Sequence, residues 1–123
     1  MSVDRLTTLA LDKILSGKVK EEATCVIKFY SNDCHYCHAL AEYYKEIAED
    51  EELSDVHFFA FNVYDNPSIE KRLKLNGVPT ISIVQTTTGK GEAKVRTMPD
   101  PDSPNEKTWY YVKDIKNFIQ REK

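Results

Sequence analysis

The stretch YSNDCHYCHALAEYY, Tyr30 to Tyr44, contains the run Cys34-His35-Tyr36-Cys37-His38, and three chemistries fit that run. Cys-x-x-Cys-His is the attachment signature of a c-type haem. Two cysteines with histidines nearby also suit a zinc ion. The same cysteines suit a dithiol that opens and closes as a disulfide. The surrounding sequence has to decide among them.

Upstream, ATCVIKFY (residues 23–30) is short, rich in β-branched and aromatic residues, and bounded by charge on one side and Ser-Asn-Asp on the other. It reads as a buried strand. Downstream, from Cys34 to about Glu49, the residues Cys37, Leu40, Ala41, Tyr44, Ile47 and Ala48 recur at helical spacing, with Glu42, Lys45 and Glu46 outside. The cysteine pair therefore opens a helix at the end of a strand.

The rest of the chain extends this pattern. Asp4 is a candidate cap for a first helix carrying Leu6, Leu9, Ala10 and Ile14, with Gly17 as its stop. VHFFAFNVY (56–64) reads as a second strand. Asp65-Asn66-Pro67 then turns into a short helix, Ser68 to about Leu75, ended by Asn76-Gly77. PTISIVQ (79–85) is a third strand, and a hairpin loop over 86–91 leads to a fourth, Ala93 to Met98. PDPDSPNEK (99–107), with three prolines, is a loop. A last helix is expected from about Thr108 to Arg121, burying Trp109, Val112, Ile115, Phe118 and Ile119. The expected fold class is α/β, with a central mixed four-stranded sheet, possible room for a fifth short strand within residues 1–8, and helices on both faces. The cysteine pair then lies at the carboxyl edge of the sheet, where reaction sites gather in open α/β sheets.

Size and composition narrow the function. The 123 residues suit a single domain, 1–123, with one core and no need of metals or cross-links. Net charge is −3, with acids and bases interspersed, so the basic footprint of a nucleic-acid binder is missing. No apolar run resembles a signal sequence or a bilayer span. Three cysteines, only two of them close together, do not make a secreted disulfide framework. A reducing, cytoplasmic setting is expected, and a monomer.

A helix start suits a reactive thiol. Its first backbone N–H groups have no partner within the helix, and they add to the positive end of the macrodipole. Cys34 is thereby favoured as a thiolate, the form that reacts. Cys37 lies three residues on, about one turn, within bonding reach. The expected roles are attack on a substrate disulfide by Cys34 and resolution of the mixed disulfide by Cys37.

At this point the chain resembles the thioredoxin family over roughly residues 22 to 122. The resemblance rests on CVIKFY, the CxxC opening a helix, FNVYDNPSIEKRLKLNGVPTISIV, and a terminal hairpin with a helix. Its most specific element is Gly77-Val78-Pro79-Thr80. The resemblance implies a thioredoxin fold and a cis Pro79 beside the Cys34–Cys37 pair. It also implies that Val78 offers backbone hydrogen bonds to a bound substrate strand. It implies protein disulfides as substrates and a reductase as electron donor, with no cofactor in the chain itself.

Four features depart from the family pattern. His35-Tyr36 stands between the cysteines where Gly-Pro is typical. Tyr36 is expected to be exposed and to contact substrate. Lys28 stands where the family places a buried acid that handles the resolving cysteine's proton. As an ammonium it supports a thiolate, and as a desolvated amine it serves as a base; the plainer expectation runs its stem along the sheet to an amine in water. Asp33 replaces a tryptophan just before the pair and opposes the Cys34 thiolate, and Glu42 replaces a helix-kinking proline. The loop 99–107 is long and acidic, with Asp100 and Asp102 forming a lip suited to basic partners or simply a surface insertion.

Against this background haem lacks an axial ligand motif, Met1 and Met98 being the only methionines. Zinc finds at most Cys34, Cys37 and His38, and no metal site is expected. His38, on the face of Cys34, either feels the thiolate or is an ordinary exposed helix histidine. His57 is expected to be a packed or edge histidine, Cys25 a small buried hydrophobe, and the pairs Tyr43-Tyr44 and Tyr110-Tyr111 helix packing. Two function classes remain. One is a thiol–disulfide oxidoreductase, of reducing or of more oxidising, isomerase- or glutaredoxin-like poise. The other is a binding module using the same groove, with redox turnover secondary.

Overall fold

Apolar strands that alternate their side chains between two faces need a helix layer over each face, and the computed structural model, which describes residues 3–88 and 91–123, has both. The chain order is β1 (Asp4–Arg5), α1 (Thr8–Leu15), β2 (Thr24–Tyr30), α2 (His35–Ala48), a 3-10 turn (Glu51–Leu53), β3 (Val56–Asn62), α3 (Ser68–Arg72), β4 (Thr80–Gln85), β5 (Lys94–Thr97) and α4 (Val112–Glu122). The sheet order is β1-β3-β2-β4-β5. β1 and β2 run parallel to β3, whereas β4 is antiparallel to both β2 and β5. No helix among the described residues is long and apolar enough to cross a membrane. The expected loop over 86–91 includes Gly89 and Lys90, which lie outside the described residues, as does Met1.

The alternation of β2 sorts the core. Val26 joins Leu40, Tyr44 and Ile47 of α2 and Ile115, Phe118 and Ile119 of α4 on one face. Cys25, Ile27 and Phe29 join Leu11, Ile14 and Leu15 of α1 and Ile69 of α3 on the other. Tyr44 carries its polar end inside: it is buried, and its hydroxyl lies 2.7 Å from the Phe59 carbonyl and 3.1 Å from that of Val26.

Some local expectations are met and others corrected. The fifth strand exists, pairing Asp4 with Phe59 and Arg5 with Ala60 at the sheet edge. Thr7, not Asp4, caps α1, its hydroxyl accepting the Ala10 N–H at 3.1 Å. Starting the helix there rotates Leu9 outward, where it is 65% exposed. Gly17 does end α1, with φ 76 and the Lys18 N–H bonded to the Lys13 carbonyl. Ala41 faces outward, as do Tyr43 and Tyr111, while Tyr44 and Tyr110 are buried. His57 is exposed and stacks on Phe59. The final helix starts at Val112 rather than Thr108, because Trp109 has φ 68 and lies in a turn that precedes it.

The end of α3 also differs from its sequence reading. The helix ends at Arg72 with Leu73 as its cap, well before Gly77, and Lys74 just beyond adopts φ 56 while the Leu75 N–H bonds the Glu70 carbonyl at 2.8 Å. A side chain in the left-handed region costs about 1 kcal/mol or more, which glycine avoids. Lys74→Gly is therefore expected to be about 1 kcal/mol more stable than Lys74→Ala in urea unfolding. Equal stabilities would show that the strain is absent.

Candidate active site: a disulfide at the first turn of a helix

Tyr30 ends β2, and the loop 31–33 carries the chain to α2. That loop is pinned from several sides. The Cys34 N–H donates to the Ser31 carbonyl at 3.2 Å, and the Asp33 N–H to the Ser31 hydroxyl at 3.3 Å. The amide of Asn62, buried at the end of β3, donates to the Asn32 side-chain oxygen at 2.7 Å, and the Asn62 oxygen accepts from the Tyr64 N–H. His38 Nε2 donates to the Asn32 carbonyl at 2.8 Å. The histidine thus braces the loop. Asn32 and Asn62 were not singled out from the sequence. The one available signal was a polar residue closing the apolar run of β3.

Cys34 caps α2, and its Sγ accepts the Cys37 N–H at 3.1 Å. Cys34 and Cys37 are joined as a disulfide, with their Cα atoms 5.2 Å apart. Cys34 is partly exposed and Cys37 is buried. The sulfur nearer solvent therefore already holds a backbone donor that suits an anion. His35 and Asp33 are exposed, and Tyr36 is half-buried. The Tyr36 ring lies 6.1 Å from that of His35 and 5.6 Å from that of Trp109. Trp109 packs against the core as expected, but from the loop before α4 rather than from within the helix, and its ring meets Tyr36.

On the other side of β2, Thr80 of β4 pairs with Phe29, and continuing that register sets Pro79 opposite Tyr30. The Val78–Pro79 segment therefore lies at the same sheet edge as the loop leading to Cys34. The Val78–Pro79 peptide is cis, Pro79 is buried and Val78 is half-buried. Gly77 has φ 102, and its carbonyl accepts the Thr80 hydroxyl at 2.6 Å, which fixes the turn. Asn76 donates to Asp100 at 2.8 Å, tying this segment to the acidic loop.

Lys28 shares the β2 face of Val26, beneath α2, and is only 6% exposed. Its amine makes no hydrogen bond to the described residues and is not sealed from solvent, so it keeps a narrow contact with water instead of extending freely into it. It lies 5.3 Å from the centre of the Tyr44 ring and 5.5 Å from that of Tyr30. Burial lowers its pKa from 10.5 to about 8. Tyr44 is on the same buried helix face as Cys37, about two turns on. The remaining cysteine, Cys25, is buried in β2 on the opposite face, and burial raises its thiol to about 11. Among the described residues no group of three or more His, Cys, Asp or Glu side chains is placed to hold a metal ion.

A redox-capable cysteine pair at the first turn of a helix, on the carboxyl edge of an open mixed sheet, defines a dithiol–disulfide protein. The thioredoxin family model matches residues 6–101, and the chain belongs to the thioredoxin family. No curated protein sequence matches it. The fold is similar to a thioredoxin of Malassezia sympodialis, Mala s 13 (TM-score 0.69, 15% identity, covering 98% of this chain and 90% of the other). It is also similar to spinach chloroplast thioredoxin f (0.65, 20%, 99% and 95%) and to mitochondrial thioredoxin 3 of Saccharomyces cerevisiae (0.65, 18%, 97% and 94%). Family membership and a bonded CxxC together support thiol–disulfide oxidoreductase chemistry in general.

Proposed function

We propose that this chain reduces protein disulfides by cycling Cys34 and Cys37 between dithiol and disulfide. The observation that carries the reading is the asymmetry of the pair. Cys34 is the accessible sulfur with a backbone N–H aimed at it, and Cys37 is the buried one a turn away. The Cys34 thiolate attacks one sulfur of a substrate disulfide, forming the mixed disulfide and expelling the other sulfur as a thiolate. Cys37 then loses its proton and attacks Cys34 Sγ. The second substrate thiolate leaves, and the Cys34–Cys37 disulfide forms. Two electrons pass to the substrate, and an external reductase returns the pair to the dithiol.

Lys28 takes part from beneath α2. As an ammonium it favours thiolate charge above it. With a pKa near 8 it is also close enough to neutrality to accept the Cys37 proton. Val78 and Pro79 flank the bound substrate strand at the shared sheet edge, and Tyr36 meets it over the dithiol. His35, Asp33 and His38 modulate: the first two through charge beside Cys34, the third by holding the loop 31–33.

The test is insulin-disulfide reduction by dithiothreitol, followed by turbidity. The wild type is expected to accelerate it strongly. A rate equal to that of dithiothreitol alone would contradict the reading and favour a binding module of the same fold.

A further inference from the structure

Tyr36 and Trp109, far apart in sequence, meet beside the dithiol. The two rings sit 5.6 Å apart with planes tilted 55°, and both are partly exposed, Tyr36 standing between Cys34 and Cys37 in the chain. Trp109 is the only tryptophan in the chain. Its position is enforced by the backbone. The Tyr110 N–H bonds the Thr108 carbonyl at 2.7 Å across Trp109, whose φ is 68. This is a three-residue turn that is rare and strained for a residue with a side chain, at roughly 1–3 kcal/mol.

The surrounding loop holds the turn shut. Asn105 and Trp109 exchange both backbone hydrogen bonds at 3.0 Å. The Asn105 side-chain oxygen accepts the Lys107 and Thr108 N–H groups, the Thr108 hydroxyl donates to the Tyr110 carbonyl, and the Tyr110 ring is buried. A hydrogen-bonded loop thus presents an indole, packed against the core on one side and partly open to solvent, to the tyrosine between the two cysteines. Rigid aromatic rings offer a large contact area with little entropy to lose on binding.

We propose that Trp109, together with Tyr36, forms an aromatic wall at the Cys34 sulfur that selects target disulfides flanked by an aromatic or large aliphatic residue. The inference rests on the exchange reading above and adds to it a specificity-determining residue from the loop before α4. A Phe beside the target cysteine packs edge-on or offset against the wall, whereas a Gly leaves the indole half-wetted. The attack geometry at Cys34 is shared by both targets, so the wall acts on their ratio.

Two peptides, each with one intramolecular disulfide and differing only in Phe or Gly before the first cysteine, provide the test. Their kcat/KM values are measured with dithiothreitol as reductant. The wild type is expected to prefer the Phe peptide about fivefold or more. Trp109→Gly, which suits the positive φ, brings the ratio close to one, and Trp109→Phe retains most of it. Tyr36→Ala, which leaves the turn intact, also lowers the ratio and serves if the glycine variant does not fold by circular dichroism. Equal kcat/KM for both peptides in the wild type, or an unchanged ratio in folded Trp109→Gly and in Tyr36→Ala, overturns the inference while the exchange reading stands. Turnover of neither peptide by the wild type overturns both.

Discussion

Cys34→Ser abolishes the acceleration of insulin reduction, a loss of about a thousandfold or more, because the hydroxyl that replaces the thiolate does not attack a disulfide at neutral pH. The Cys37→Ser variant fails differently. With the pre-reduced variant and no dithiothreitol present, Cys34 still attacks, but no second thiol of the pair resolves the product, so one substrate sulfur stays bonded to Cys34 as a mixed disulfide that intact mass spectrometry detects. The distinction follows from the observed geometry, in which the exposed sulfur carries the backbone donor and its buried partner lies one turn in. Full acceleration by Cys34→Ser, or adduct formation by Cys34→Ser but not by Cys37→Ser, would reverse the assigned roles.

The second large effect concerns Lys28. Burial lowers its folded pKa to about 8, below the 10.5 of an exposed lysine. Below pH 8 both folded and unfolded chains hold the proton, and the folded state carries the penalty of a largely covered ammonium. Between about 8 and 10.5 the folded chain releases the proton first, so this residue makes stability rise with pH. Cys25 acts oppositely: its folded thiol titrates near 11 instead of 9.0, so its contribution is lost as pH rises from about 9 to 11. The contribution of Lys28 is therefore read as the difference between the oxidised wild type and oxidised Lys28→Met. Methionine matches the stem without the charge, and at pH 7 the variant is expected to be more stable by about 1–2 kcal/mol. The gap closes as pH approaches 10.5. The same substitution removes a cation that favours the thiolate, so the reduction potential of the pair should fall and its resolving step should slow. A variant of unchanged stability at pH 7, with a constant gap from pH 7 to 10, would mean that the amine is fully hydrated.

The parts of the structure that were legible in the sequence are those where local pattern and tertiary environment agree. β2 and β4 are apolar runs because both of their faces are covered, and the Cys34–Cys37 turn announces itself at the junction of a strand pattern and a helix pattern. Gly17 marks the end of α1 because only a glycine reaches its φ without strain. Lys74, just beyond α3, adopts the same conformation with no such marker, and the nearby Gly77 drew the reading past it. Trp109 was assigned to α4 because it continues the spacing of Val112, Ile115 and Phe118. The hydrogen bonds that take it out of the helix come from Asn105, and pattern within a helix does not register a partner outside it. β1 has two residues, too few to show a period. For Lys28 the alternation of β2 gives the face, but whether its amine stops against Tyr44 or passes to solvent is decided by how α2 lies on the sheet.

The proposed exchange cycle stands or falls on Cys34 being the reactive thiolate of the pair. The most direct measurement is the rate of alkylation of the reduced protein by limiting iodoacetamide between pH 5 and 10, with the modified cysteine located by peptide mass spectrometry. Cys34 is expected to be labelled first, with a midpoint below the roughly 8.5 of a free cysteine, Cys37 to follow slowly, and Cys25 to stay unlabelled in the folded chain. Labelling of Cys37 as fast as Cys34, or a Cys34 midpoint at or above about 8.5, would contradict the cycle.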